Sequence, residues 1–275
     1  MEYFVFYLLS GIAVGLLAGL FGVGGGIIMV PILTFSFAQM HFPESILLHT
    51  AIGTSLTTIL FTSFSSLFSH HRNGSVIWKY LFISIPWIIL GTYMGSFLAA
   101  SLRSKELNYI FIIFIFLFAI KMLFGKKKDN HSELHTNNRE EMEQVSFPKY
   151  WIQSIIGILI GFSSALVGVG GGVFTSTYLL YLKTPIHRAI GTSAAIGFPI
   201  ALSGGLSYII NGWNHSDLPF GSTGFVYWPA VLGLVIASMP FAYLGAKISH
   251  RLPKDRLRIL FAFFLLIMGT FMTFR

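Results

Sequence analysis

The chain has 275 residues, of which 54% are hydrophobic and only 10% are charged. About a quarter of the residues in soluble domains are charged, so this composition excludes an ordinary soluble protein and predicts an all-α, multi-pass membrane protein. The net charge of +8 does not indicate a nucleic-acid partner, because the basic residues lie in the connections between apolar segments, and the absence of cysteine excludes disulfides and thiolate metal sites.

The first part of the chain alternates apolar segments with short polar connections. Residues 3–21 are predicted to form a retained helix and not a signal peptide, because no basic residue precedes them. A short helix is predicted over residues 27–38, about half as long as the roughly 30 Å hydrocarbon core, so these two segments are predicted to form a hairpin within the membrane. Three full spans follow, at 46–68, 80–100 and 109–124.

Two short motifs divide the chain into related halves. The glycine-rich residues 22–26 return as residues 168–172, and residues 49–55, which end in Ala-Ile-Gly-Thr-Ser, return as residues 187–193. The first copy carries eight extra residues between its two motifs. We therefore predict a first transmembrane repeat at 1–124, a polar cytoplasmic linker at 125–149 and a second transmembrane repeat at 150–275. Each repeat is a glycine-broken helical hairpin followed by three full transmembrane helices.

The basic residues predict how the two repeats are oriented. With the linker in the cytoplasm and the repeats inverted relative to each other, 15 of the 18 lysines and arginines lie inside and three lie outside. With parallel repeats the distribution is about nine against nine. Because cytoplasmic connections carry an excess of Lys and Arg, the count favours two inverted repeats with both termini outside.

The glycine motifs are candidate substrate sites. Four glycines in five residues disfavour a continuous helix by roughly 4 kcal/mol, so the helix must stop there. Backbone N–H groups are then free at the start of the next helix, whose end carries about half a positive charge and binds anions. The alternative is close helix packing, which we expect for glycines four residues apart, such as Gly11 and Gly15. The candidate substrate-binding glycines are Gly24, Gly25, Gly26, Gly170, Gly171 and Gly172.

The Gly-Thr-Ser motifs lie at a similar predicted depth in the membrane. Counted from the predicted starts of their helices, both reach the region of the midplane and face the glycine breaks. Their hydroxyls could donate to a substrate oxygen; the alternative is that each returns its hydrogen to the carbonyl one turn earlier. The candidate residues are Thr54, Ser55, Thr192 and Ser193.

The ionisable residues limit the coupling mechanism. All ten carboxylates lie in connections or near the ends of spans, which argues against a cation substrate. His49 and His187 are repeated beside the motifs and could carry a proton near neutral pH; the alternative is that each caps or hydrogen-bonds within the entry turn of its helix. No cofactor and no metal site are predicted.

At these residues the chain resembles the sulfite exporter TauE/SafE family, also called the TSUP family of anion transporters. The resemblance rests on the segment from Gly15 to Pro31, on the Ala-Ile-Gly-Thr-Ser of each half and on the hydrophilic linker, and it covers nearly the whole chain outside that linker. It implies a multi-span inner-membrane protein that moves sulfite, sulfonates, sulfoacetate or thiosulfate, commonly outward. One departure from symmetry is that Pro31 aligns with Thr177, so the second short helix lacks the proline of the first.

Residues and resemblance together predict a secondary transporter, and not an enzyme, whose partners are a small anionic substrate and the lipid bilayer. Its mechanism would be alternating access to a site near the midplane between the two inverted repeats. Two alternatives stay open: an intramembrane enzyme that uses His49 or His187 as acid or base, and a channel for another small anion.

Overall fold

The fold is built from helices. The computed structural model describes residues 2–21, 25–72, 74–124, 149–249 and 254–274, and these contain ten helices and one two-stranded hairpin. In chain order the elements are α1 (Glu2–Phe21), α2 (Gly26–Gln39), α3 (Leu47–Arg72), α4 (Trp78–Ser101), α5 (Ser104–Phe124), α6 (Tyr150–Val167), α7 (Gly172–Tyr181), α8 (Ile186–Gly212), β1 (Ser222–Thr223), β2 (Val226–Tyr227), α9 (Trp228–Ser249) and α10 (Lys254–Thr273). The predicted linker lies outside the described residues, except for Lys149 at its end.

Five of the described helices are long and apolar enough to cross a bilayer, namely α3, α4, α6, α8 and α9. Their outward faces carry large apolar side chains such as Phe97 and Leu206, which are 64% and 52% exposed. Such a surface is stable against lipid tails but not against water, so the chain is an all-α, multi-pass membrane protein. The predicted third spans, α5 and α10, have 21 and 20 residues but are not among these five long apolar helices. Helix α5 carries the charged residues Lys105, Glu106 and Lys121 near its ends.

The two halves follow the same order of five helices. The short helices α2 and α7 have 14 and 10 residues, so four of the eight extra residues of the first copy lengthen α2. Each short helix is followed by a residue in the left-handed conformation, His41 with φ 58° and Lys183 with φ 59°. In both cases the next backbone N–H bonds to a carbonyl five residues back, so the two helices end by the same motif.

The first helix of each half packs along the fourth helix of the other half. A methyl group built on Gly11 of α1 would lie 2.9 Å from Cβ of Ala237, and one on Gly15 would lie 2.8 Å from Cα of Ser238, both in α9. Glycines at the same positions of α6 face α4 in the same way. In each pair, residues later in one helix contact residues later in the other. The two helices of each pair, α1 with α9 and α6 with α4, therefore run parallel. The packing role expected for the spaced glycines is therefore present.

Helices α3 and α8 cross at the centre of the protein and run antiparallel. A methyl group on Gly204 of α8 would lie 2.9 Å from Leu56 of α3, and one on Gly197 would lie 3.3 Å from Ser63. Residues later in α3 therefore face residues earlier in α8, which means that the two helices run in opposite directions. Because both helices carry the Ala-Ile-Gly-Thr-Ser motif, this crossing brings the two copies of the motif to opposite ends of the same central pair.

The first two helices form the predicted hairpin. The hydroxyl of Tyr3 in α1 donates to the carbonyl of Gln39 in α2 at 3.2 Å, and Ser36 of α2 donates to the hydroxyl of Tyr7 at 2.9 Å. The start of α1 thus lies beside the end of α2. The hairpin returns the chain to the side from which α1 began, and α3 then starts from that side.

Candidate functional site

The two glycine breaks meet beside the centre of α3. Gly25 precedes α2 with φ 75°, and Gly171 precedes α7 with φ 68°, a left-handed conformation that glycine adopts without strain. A methyl group on Gly26 would touch the carbonyl oxygen of Gly168 and lie 2.9 Å from Cα of Val169. The breaks are therefore in direct contact, and close packing is part of the reason for their glycines. Gly24 lies outside the described residues, whereas Gly170 and Gly172 are buried at the second break.

Each break ends in the N-terminus of a short helix. The carbonyl of Gly25 accepts hydrogen bonds from the N–H groups of Ile28 and Met29 at 3.1 and 3.0 Å, and the carbonyl of Gly171 accepts one from Thr175 at 2.9 Å. The N–H groups at the very start of a helix precede this ladder and have no partner within it. Neither helix start carries a side-chain cap. Both ends therefore offer N–H donors and partial positive charge to an anion.

The threonine of each Gly-Thr-Ser motif contacts the opposite half. Oγ1 of Thr54 in α3 accepts a hydrogen bond from the N–H of Tyr227 at 3.0 Å, and Oγ1 of Thr192 in α8 accepts one from the N–H of Ile77 at 2.9 Å. Tyr227 and Ile77 each directly precede a fourth helix, α9 and α4. The two threonines thus hold the starts of these helices by a reciprocal contact.

The glycine of each motif lets the same two segments approach. A methyl group on Gly53 would touch the carbonyl oxygen of Phe225, and one on Gly191 would lie 2.7 Å from the carbonyl oxygen of Ser75. Any larger side chain would push these segments away from α3 and α8. The repeated Gly-Thr pair therefore has a structural explanation that applies equally to both halves.

The two motif serines are bonded differently. The hydroxyl of Ser55 donates to the carbonyl of Gly168 in the second glycine break at 3.0 Å, across the boundary between the halves. The hydroxyl of Ser193 donates to the carbonyl of Ile190 in its own helix at 2.9 Å, as the back-bonding alternative expected. All four motif hydroxyl residues are buried. Of them, Ser55 is the one whose hydroxyl bonds directly to a described residue of a glycine break.

Comparison with known proteins identifies the family of this chain. The model of the family described as "Sulfite exporter TauE/SafE" matches residues 7–272. The chain belongs to this family. It is 36% identical over 262 residues to a probable membrane transporter protein of Haemophilus influenzae, and the match covers 95% of each chain.

Further relatives carry similar names. This TauE/SafE protein is 30% identical over 267 residues to a probable membrane transporter protein of Methanocaldococcus jannaschii, a match that covers 96% of this chain and 93% of the relative. It is 29% identical over 241 residues to the probable membrane transporter protein YdhB of Bacillus subtilis, with 87% and 88% covered. No solved structure matches the chain.

The histidine beside the first motif of this TauE/SafE protein joins two helices. His49 is buried, and its Nε2 lies 2.9 Å from the carbonyl oxygen of Ala99 and 3.2 Å from that of Leu102, at the end of α4. Both partners are acceptors, so Nε2 carries the hydrogen. Nδ1 has no partner among the described residues. The side chain of His187 lies outside the described residues.

The carboxylates whose side chains are described lie at the surface. Glu44, Glu106 and Asp217 are exposed, and among the described Asp, Glu, Lys, Arg and His side chains His49 is the buried one. Within the described part of the chain, no three His, Asp or Glu residues lie close enough to hold a metal ion. The surroundings of the two breaks therefore offer uncharged donors to a ligand.

Two buried hydroxyls beside the second break were not among the residues predicted from the sequence. Ser164 and Thr175 are both fully buried, and neither hydroxyl has a hydrogen-bond partner among the described residues. Single serines and threonines are too common in membrane helices to stand out in a sequence. Alignment of the two halves residue by residue could have found them, because their counterparts, Ala18 and Met29, have no hydroxyl.

Proposed function

We propose that this TauE/SafE protein is a secondary transporter that exports a small sulfur-containing anion, sulfite or an organosulfonate, through a site at the two glycine breaks. The observation that carries the proposal is the contact between the two glycine breaks beside α3: Gly26 at the start of α2 lies against Gly168 and Val169 of the break that leads into α7, and neither short helix has a side-chain cap. A buried anion needs donors that replace its water, and helix N-termini supply them without a cationic side chain.

The relation between the halves supports an inverted repeat. Helices α3 and α8 carry the same motif but run antiparallel, as the pairs Leu56 with Gly204 and Ser63 with Gly197 require. Copies related by an axis along the membrane normal would run parallel, whereas an axis in the membrane plane reverses their direction. We therefore propose that residues 1–124 and 150–275 are inverted repeats.

The proposed orientation places the linker, residues 125–149, on the cytoplasmic side of the inner membrane and both termini outside. If α3, α4 and α5 cross the bilayer in turn, Arg72, Lys121 and Lys149 lie on one side. Arg103 and Lys105, between α4 and α5, then lie on the other. The excess of basic residues on the linker side favours that side as the cytoplasm.

The contact between the breaks supports alternating access. Because Gly26 lies against Gly168 and Val169, an anion can occupy the space between the breaks only when they separate. We propose that they separate toward one side of the membrane at a time, and that the anion stabilises the separated forms. A ligand shifts such an equilibrium only through a difference in affinity between the two conformations.

The test is uptake of radiolabelled sulfite and sulfoacetate into vesicles reconstituted with the whole chain, with protein-free vesicles as the control and sulfate and chloride as competitors. We expect saturable uptake that depends on the protein. Unitary currents through single molecules would support the channel alternative, and chemical conversion of the substrate would support the enzyme alternative. Absence of uptake for every anion tested overturns the proposal.

A further inference from the structure

The two glycine breaks have different surroundings, although their backbones match. Aligned by the glycine motif, Gly25 corresponds to Gly171, Ala18 to Ser164 and Met29 to Thr175. Both glycines are left-handed and directly precede a short helix. The difference between the breaks therefore lies in the side chains around them.

At the first break, the side chains that flank Gly25 are apolar. A methyl group on Gly25 would lie 3.1 Å from Cγ1 of Val14, 3.2 Å from Cβ of Ala18 and 3.2 Å from Cε of Met29. These atoms offer no hydrogen bond. The N-terminus of α2 thus supplies its N–H groups within an apolar wall.

The second break has hydroxyls in the corresponding places. A methyl group on Gly171 would touch the side chain of Ile200 and lie 3.3 Å from Oγ of Ser164, so this oxygen lies beside the start of α7 together with the apolar Ile200. Thr175 lies in the first turn of α7. Both residues are 0% exposed, and both hydroxyls lack a partner among the described residues. Buried hydroxyls without partners lower the stability of a fold, so their presence needs a reason outside the packing.

We propose that the site is one-sided: Ser164 and Thr175, with the N-terminus of α7, hold the charged oxygens of the anion, while Ala18, Met29 and Val14 at the first break contact the uncharged remainder. This inference rests on the proposed function. Each hydroxyl donates its hydrogen to an anionic oxygen, a bond stronger than one between neutral groups. The apolar wall accepts a substituent on sulfur and gives no donor to a further charged group.

The arrangement distinguishes two kinds of substrate. Sulfite and methanesulfonate both present three oxygens on sulfur, but methanesulfonate carries a methyl group where sulfite has a lone pair. At a one-sided site the oxygens of both anions face Ser164. The methyl group of methanesulfonate faces Ala18, where an added hydroxyl would lose its water without gaining a partner.

The test compares four variants of the full chain in detergent and in vesicles, with sulfite and methanesulfonate as probes. They are Ser164→Ala, Ala18→Ser, the double variant that moves the hydroxyl from one break to the other, and Ser154→Ala. Ser154 is a matched control because it lies in the same helix as Ser164, is also buried, and already donates to the carbonyl of Tyr150 at 2.9 Å. The Kd is measured from ligand-induced shifts in Tm, and the KM from uptake.

We expect Ser164→Ala to weaken binding of both anions about tenfold or more, as for loss of a hydrogen bond to a charged group, with Ser154→Ala unchanged. Ala18→Ser should weaken binding of methanesulfonate more than that of sulfite. The double variant should not regain the wild-type affinity for either anion. A variant Thr175→Val, which keeps the shape of the side chain, should also weaken binding of both anions.

Three outcomes overturn the inference. They are equal affinities in the Ser164→Ala and Ser154→Ala proteins, recovery of the wild-type Kd in the double variant, and an Ala18→Ser effect of the same size on both anions. Binding by the wild-type protein without uptake overturns the transport proposal alone, because the comparison of Kd values still tests the one-sided site. Absence of binding for both anions overturns the two together.

Discussion

The hydroxyl of Thr54 accepts a hydrogen bond from the backbone N–H of Tyr227, 173 residues further along the chain, at 3.0 Å. This contact fixes the start of α9 to the central helix α3, and Thr192 does the same for the start of α4 through Ile77. Both bonds are buried or partly buried. Removing either threonine hydroxyl would therefore leave a backbone N–H without a partner and shielded from water.

Replacing either threonine by valine should destabilise the protein. Thr54→Val and Thr192→Val keep the shape of the side chain but leave a buried N–H unpaired, so we expect each to lower the free energy of unfolding by about 1–3 kcal/mol. The measurement is thermal unfolding in detergent. Thr54→Ser should restore most of the loss, and Thr50→Val is the control, because Thr50 is buried and bonded within its own helix. An equal loss in Thr50→Val and Thr54→Val would contradict the interpretation.

The proposed orientation predicts which surface residues a membrane-impermeant thiol reagent can reach. The chain has no cysteine, so single cysteines can be introduced at the exposed positions Lys79, Lys105, Lys149 and Asn214. We expect labelling of Lys79→Cys and Lys149→Cys from the cytoplasmic side, and of Lys105→Cys and Asn214→Cys from the outside. Cytoplasmic labelling of Asn214→Cys would mean that the repeats are parallel, and would remove the basis for an inverted pair.

The contact between the breaks predicts an effect of one added methyl group. In Gly26→Ala the new Cβ would meet backbone atoms of Gly168 and Val169, which cannot rotate away. We expect a loss of about 1–3 kcal/mol in the free energy of unfolding and a change in uptake of sulfite, because the closed contact cannot form. Gly205→Ala is the control, since its Cβ would lie 3.1 Å from a hydroxyl of Thr57 that can move. Wild-type uptake and stability in Gly26→Ala would exclude this contact from the transport cycle.

The histidines beside the motifs predict how transport depends on pH. If His49 and His187 carry the coupled proton, the double variant His49→Gln and His187→Gln should flatten the pH dependence of sulfonate transport, and each single variant should have a smaller effect. A sulfonate is the right probe because it stays ionised, whereas sulfite itself can carry a proton near neutral pH.

The bonds of His49 supply the competing explanation. Glutamine can still donate to the carbonyls of Ala99 and Leu102, so a purely structural role leaves the pH profile of the double variant unchanged. A shift in Tm of the single variant His49→Gln without any change in its pH profile would assign His49 to the joint between α3 and α4. A coupled proton would then have to be carried by a chain of water molecules or by the substrate itself.

Local chemistry predicted the helices and the breaks, whereas the division into two repeats joined by a linker stays a prediction. Runs of apolar residues and clusters of glycine have local causes, so α3, α4 and the stops before Gly26 and Gly172 could be read directly from the sequence. Membership of the TauE/SafE family followed from the same residues and is confirmed. The roles of the individual candidate residues at the breaks stay predictions.

The contacts across the halves could not be predicted, because they depend on tertiary packing. Nothing in the sequence beside Thr54 indicates that its partner precedes α9, or that Gly53 makes room for Phe225. The short strands β1 and β2 were also missed, since two residues of strand leave no periodicity to detect. Alignment of the two halves could have singled out Ser164, but only the structure shows that its hydroxyl has no partner among the described residues.

The first helix of each half packs against the fourth helix of the other half, so neither half is a separate folding unit. Because α1 lies along α9 and α6 lies along α4, the glycines of one half are covered by residues of the other, and each half alone would expose the backbone groove that its partner fills. If the proposed alternating access is right, we expect the moving pieces to combine helices from both halves and not to be the two segments on either side of the linker. A chain cut within the linker should assemble only when both fragments are synthesised in the same membrane.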